Sequence, residues 1–201
     1  LQGGKNTTGV HTAGKVGTGA FAFDGSADRV KLDSKISLTG NFAVAFWLRL
    51  DDANIHGITS YLTGYPTQDF LSAFGNATDA MLWESVGNNT HHVGVGEVVD
   101  TIGVWTHWVI QRDGTDLQCY KNGRYVDHDD NGVGGTYHVR YLGYGYGNKY
   151  LDGDLDDMRV FGRVLTIREI KGLYNQGAGL EDCSVAFVLP PAIGVYLEPI
   201  F

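Results

Sequence analysis

Four aspartates, Asp152, Asp154, Asp156 and Asp157, crowd one short stretch of this 201-residue chain. Carboxylates that close repel one another unless water or a cation screens them. Aspartate and backbone oxygens suit Ca²⁺, which accepts an irregular shell of about six to eight oxygens. A solvated acidic edge is the other reading of the same residues. Just upstream, Tyr141, Tyr144, Tyr146 and Tyr150 surround Gly143, Gly145 and Gly147. Tyrosines on a glycine-rich loop are poorly placed for a core. Tyr144 and Tyr146 offer flat faces for stacking on sugar C–H groups, and Asn148 offers hydrogen bonds. Tyr61 and Tyr65, ahead of Pro66, make a second such loop. Exposed tyrosine serves a protein interface equally well.

Other reactive side chains are scattered. His91 and His92 are adjacent, so in a strand they point to opposite faces and cannot chelate together; His56, His128 and His138 stand alone. Cys119 and Cys183 fit no CxxC metal or redox spacing, and one disulfide or two inert thiols both remain open. No G-x-S-x-G motif supports a serine nucleophile.

The elements that must position these residues are short strands. Asn41–Leu50 alternates strictly, with Phe42, Val44, Phe46, Leu48 and Leu50 on one face and Ala43, Ala45, Trp47 and Arg49 on the other. Two largely apolar faces place that strand in the middle of a sandwich layer. Strands are also expected at Ala20–Phe23, Arg29–Leu32, Ile58–Thr63, Phe70–Phe74, Met81–Val86 and His91–Val95. Further along, Trp105–Arg112, Leu117–Lys121 and Arg124–Asp127 are joined by Asp113-Gly114 and Asn122-Gly123, whose residue types tolerate the positive φ of tight hairpins. Trp47, Trp105 and Trp108 read as core. One segment is helical: Thr166 caps it, Glu169 completes a capping box, and Ile167, Ile170, Leu173 and Tyr174 follow at helical spacing, with Gly177 as the stop.

Composition agrees. Hydrophobic residues make up 43% and charged residues 19%, which excludes a disordered chain; 29 glycines and 12% aromatics fit many strands and tight turns. A net charge of -8 argues against a nucleic-acid partner, whose binders need a basic face. No apolar run is long enough for a membrane-spanning helix. A chain that starts at Leu1 without Met is read as one that has lost a leader or is a piece of something longer.

The order of motifs resembles the LamG-like jelly rolls of the concanavalin A-like lectin/glucanase superfamily. Gly14-Lys15-Val16-Gly17 followed by Phe23-Asp24-Gly25 is similar to the family's opening. Gly103-Val104-Trp105-Thr106-His107-Trp108 is similar to its G-x-W-x-H strand, and Tyr120-Lys121-Asn122-Gly123 to its Y-x-N-G hairpin. The longest match is Leu151 to Thr166, which resembles the family's late acidic strand and leads into the same short helix. The resemblance runs in order over about residues 14–180. It implies an all-β fold, a two-sheet antiparallel jelly-roll sandwich with one short helix near the C-terminus. It also implies that His107 is a structural, hydrogen-bonded histidine. In calcium-binding relatives the metal bridges the early F-D-G turn and the late acidic strand, which nominates Asp24, Asp28 and Asp156 or Asp157 as ligands. The related glucanases work through a Glu-x-Asp-x-x-Glu strand, and no such spacing occurs here.

These readings divide the chain into a lead-in or linker (residues 1–15), a jelly roll (16–183) and an apolar C-terminal strand or arm (184–201). They point to a non-catalytic carbohydrate-recognition or adhesion module outside a cell, on a cell surface or on a virion. A structural or decoration subunit of a larger assembly is the rival, and a glycoside hydrolase comes third. The partner is expected to be a glycan or a surface protein, with homo- or hetero-oligomers formed through Ala192–Phe201. That segment carries more large apolar side chains than a soluble monomer leaves in water.

Overall fold

A computed structural model describes residues 11–61, 69–75, 78–84 and 90–179. Two antiparallel sheets stack face to face, as the jelly-roll expectation requires. The strands in chain order are β1 (His11–Thr12), β2 (Ala20–Asp24), β3 (Val30–Thr39), β4 (Phe42–Leu50), β5 (Ile55–Ser60), β6 (Phe70–Phe74) and β7 (Ala80–Glu84). After them come β8 (His91–Val93), β9 (Thr106–Asp113), β10 (Asp116–Lys121), β11 (Arg124–Asp129), β12 (Thr136–Leu142) and β13 (Asp152–Phe161). One sheet runs β1-β2-β13-β4-β9-β10-β11, the other β3-β12-β5-β6-β7-β8.

The alternation of β4 is realised as read. Phe42, Val44, Phe46, Leu48 and Leu50 enter the core between the sheets, against Trp83, Trp108, Tyr137 and Leu155. Ala43 and Ala45 face outward, yet they too are buried, in a second cluster with Val109, Phe161, Leu165, Ile170 and Leu173. That cluster lies beneath helix α1 (Ile167–Tyr174), whose capping box is formed as expected. Alanines on the outer face let the helix sit close to the sheet. The Asn122-Gly123 turn has φ of 50° and 75°, the two positive values a tight hairpin of this kind needs.

Glu169 ties the helix down. Its carboxylate accepts from Thr166 N (2.8 Å), Thr166 Oγ1 (2.9 Å) and both terminal nitrogens of Arg163 (2.6 and 3.1 Å). The Arg163 hydrogen bonds come first among the causes that hold its pKa down, from 4.5 to about 2. A folded pKa below the unfolded one means stability present above about pH 4.5 and lost as pH falls toward 2. Glu169→Gln is therefore expected to lose about 1–2 kcal/mol at pH 7, the usual range for a cap with charge-assisted bonds. In urea denaturation at a series of pH values, the gap from the unsubstituted chain should close toward pH 2; a pH-independent gap would show that the charge is idle.

Several expectations need correction. Trp105 precedes β9 rather than lying in it, and it is half-buried with the Arg49 guanidinium 5.4 Å from its ring centre instead of forming core. Tyr141 belongs to strand β12, paired with Lys31 and Ser60, not to a loop. The strand begun at Val30 continues through a polar stretch to Thr39, because it forms a sheet edge where polar side chains reach water. His107 is buried as a structural residue would be, but its ring packs against Trp47 (5.2 Å) and Tyr174 (6.2 Å), and its Nδ1 has no hydrogen-bond partner among the described residues. Burial, with Arg159 adding repulsion, pushes its pKa down to about 3, so it stays neutral. The end of the lead-in, His11–Thr12, pairs with β2 as a short edge strand. Cys119 is a buried free thiol. Cys183, Tyr65 and the arm at 184–201 lie outside the described residues.

Candidate functional site

Three connections meet at one rim of the sandwich and enclose a cleft of about 570 Å³. They are the β2–β3 turn, the β4–β5 connection and the β12–β13 loop.

The β2–β3 turn is built by Asp24. Its carboxylate accepts the N–H groups of Ser26 (2.9 Å), Ala27 (3.0 Å) and Asp28 (3.2 Å) and the hydroxyl of Ser26 (2.8 Å). These bonds, that from Ala27 foremost, hold its pKa well below the usual carboxylate range. Gly25 and Ser26 then line the cleft. In the β4–β5 connection, Asp52 accepts from Asn54 N (2.8 Å) and from the Asn54 side-chain amide. His56, 1% exposed, forms the floor. The Asp152 N–H donates to its Nδ1 (3.1 Å), so Nε2 carries the ring proton and donates to the Asp52 carboxylate (2.9 Å). One imidazole thus cross-links the β4–β5 connection to the start of β13.

The third wall is the tyrosine loop, which folds down onto the outer face of the six-stranded sheet. Gly143 N bonds to Ile58 O (2.9 Å), Gly145 N to Lys149 O (2.9 Å) and Leu151 N to Gly143 O (3.0 Å). The descent is possible because glycine meets glycine: a Cβ on Gly57 would overlap the backbone of Gly145 and Tyr144, and one on Gly145 would come within 2.6 Å of the Gly57 Cα. Arg29 holds Tyr150 in place through its hydroxyl (2.9 Å) and lies 5.6–5.9 Å from the rings of Tyr141, Tyr144 and Tyr150.

Of the residues nominated from sequence, Asn148 lines this cleft. Tyr144 does not serve as an open stacking face: it is 3% exposed, enclosed by Arg29, Tyr141 and Tyr150, and donates its hydroxyl to Asn148. Tyr61 lies elsewhere, packed at a tilt against the His138 ring (4.9 Å) with Lys35 Nζ 4.8 Å from its own. The side chain of Tyr146, like Tyr65, is outside the described residues. His56 reads in the sequence only as an isolated histidine and Tyr150 only as one tyrosine of the glycine-rich loop, while Asp52, Asn54 and Lys149 carry no signal there. Only the tyrosine loop and the acidic start of β13 hinted at this end of the molecule.

The four proposed calcium ligands separate into two places. Asp24 pairs across the sheet with Asp152, whereas Asp156 pairs with Trp47. Four residues along a strand are about 13 Å. Asp156 accepts from Lys15 N (2.7 Å) and Val16 N (2.8 Å), and Asp157 pairs with Arg159 (2.7 Å). Asp28 stays beside Asp24, its carboxyl raised by burial and then by Asp24. As a set they do not fit one ion, and among the described residues no three His, Cys, Asp or Glu side chains gather to hold a metal. No helix among the described residues is long and apolar enough to cross a membrane.

The laminin G-type family model of the concanavalin A-like lectin/glucanases superfamily matches residues 24–171. A comparison with curated proteins returned no match. Among solved structures, the chain is similar to domain 4 of the extracellular arabinanase AbnA of Geobacillus stearothermophilus, solved in complex with arabinotriose (TM-score 0.63, 18% identity, 80% of this chain and 78% of that one). It is also similar to a heptameric pentraxin of Limulus polyphemus (TM-score 0.62, 14% identity, 76% and 80%). A third likeness is to mouse laminin α1 domains LG4–5 (TM-score 0.52, 12% identity, 70% and 40%). At these identities the likeness is one of fold.

Proposed function

The chain belongs to the concanavalin A-like lectin/glucanases superfamily, and from that membership we propose that it is a non-catalytic carbohydrate-recognition module working outside a cell or on a surface, with the rim cleft as its ligand site. The observation that carries this reading is the convergence of polar groups from three connections on one open cleft beside an anchored tyrosine, the pattern expected of a small-ligand site. The arabinotriose complex of a domain with the same fold is in keeping with it. The absence of a Glu-x-Asp-x-x-Glu strand supports binding without hydrolysis. A glycan array followed by calorimetric titration tests it. The chain should bind a defined sugar class and release no reducing ends, and Asn54→Ala combined with Asn148→Ala should weaken binding at least tenfold.

A second reading, a subunit that contacts other proteins, draws on Val95, Val99 and Val104, which are 60%, 42% and 57% exposed along the connection between β8 and β9. A silent array together with sedimentation as an assembly would favour it over the first.

A further inference from the structure

The carboxylates around the cleft are not equivalent. Asp24 is engaged by three N–H groups and a hydroxyl of its own turn. Asp52 is engaged by Asn54 and by the ring proton of His56. The Asp152 carboxylate lines the cleft and accepts no hydrogen bond and makes no ion pair among the described residues. Its backbone N–H is fixed by His56, and its side chain lies against Gly25, where a Cβ would come within 2.9 Å of it. The acceptor is therefore held in position and left open to the cleft.

Its surroundings are negative. Burial first, then Asp51 and Asp52, raise its pKa, and Asp24 adds to this. Of the nearby cations, Arg29 is spent on Tyr150, and Lys149 lines the cleft without an ion pair to Asp152 or Asp52. A sugar hydroxyl donates one hydrogen bond to such an acceptor and leaves the field unrelieved. An ammonium group donates up to three and cancels charge. A carboxylated or sulfated sugar would meet repulsion from Asp24, Asp51, Asp52 and Asp152, which outweighs the single positive charge that Lys149 brings to the cleft.

Resting on the glycan reading above, we infer that Asp152 is the specificity-determining residue of the cleft and that it selects a sugar bearing a free, protonated amine.

The test uses the β-1,4-linked glucosamine trisaccharide, its fully N-acetylated counterpart and the non-sugar diamine putrescine, each titrated calorimetrically into the whole chain. The free-amine trisaccharide should bind at least tenfold tighter than the acetylated one, a difference of about 1.4 kcal/mol. Asp152→Asn should remove that preference, and the advantage should shrink between low and high salt. Asp130→Asn, which removes the same charge from an exposed site on the connection after β11, should leave the preference intact. Equal binding of both trisaccharides, or an equal loss in Asp130→Asn, overturns the inference while the glycan reading stands. Binding of a neutral sugar only when Ca²⁺ is added overturns it in the same way. Putrescine binding as tightly as the amino sugar overturns the inference and the glycan reading together.

Discussion

Gly57→Ala is expected to lose about 2–3 kcal/mol of stability and to abolish ligand binding, although the substitution adds one methyl group. Overpacking a tight contact costs about 1–3 kcal/mol, at the upper end where backbone rather than a flexible side chain must yield. At Gly57 the new Cβ meets the Gly145 amide, the Tyr144 carbonyl carbon and the Lys149 carbonyl oxygen, at 2.5 Å in the last case. All three belong to the loop that walls the cleft, so relief comes by lifting that loop from β5 and straining the bond Gly143 N–Ile58 O that ties it there. Tyr150 and Asn148 would move with it. Gly40→Ala is the matched control: Gly40 has φ of +71° and open space around it, so only backbone strain of about 1 kcal/mol is expected, with binding intact. A Gly57→Ala chain with an unchanged urea midpoint and unchanged affinity would show that the loop is not pressed onto the sheet.

The contrast between those glycines shows what a sequence reveals and what it hides. The double-faced apolarity of β4, the Asn122-Gly123 hairpin and the Thr166/Glu169 capping box are local patterns, and each is realised where the spacing placed it. Gly57 reads as an ordinary strand residue. Its importance comes from a contact with Gly145, far away in sequence, that no local pattern records. His56 was unremarkable for the same reason, since its two partners lie on different connections. Tyr144 misled because tyrosine-glycine alternation signals exposure, whereas here Arg29 arrives from β3's start to enclose the ring. The acidic run was legible as a group and illegible in its parts. Which aspartate faces which loop depends on register and on the irregularity between Asp156 and Arg159, where Asp157 takes φ of 44°. Register sends Asp152 to the cleft and Asp156 toward the lead-in.

Asp156 is accordingly a structural clamp, and Asp156→Ala should lose about 3 kcal/mol. Its Oδ2 receives the N–H groups of Lys15 and Val16, and its Oδ1 that of Asp157 (2.7 Å). Leaving a partly buried N–H without an acceptor costs about 1–3 kcal/mol, and here several are left at once. The damage should spread along the lead-in. Lys15 Nζ lies 5.1 Å from the Trp47 ring centre, and the Val16 side chain fills the space a Cβ on Gly179 would need. Hydrogen exchange at residues 12–20 should quicken well before the rest of the sheet responds. Asp156→Asn keeps an acceptor and separates charge from geometry. Burial outweighs the three N–H bonds, so the Asp156 pKa is raised in the folded chain. A raised carboxyl contributes stability that is present below the unfolded pKa of 3.8 and lost as pH rises through the folded value. The asparagine variant carries no such dependence. Its deficit relative to the unsubstituted chain should therefore be largest below about pH 3.8 and shrink toward pH 7. A deficit that grows with pH instead would mean that the ionised carboxylate, with its N–H partners, is favoured by the fold, and that the clamp works by charge.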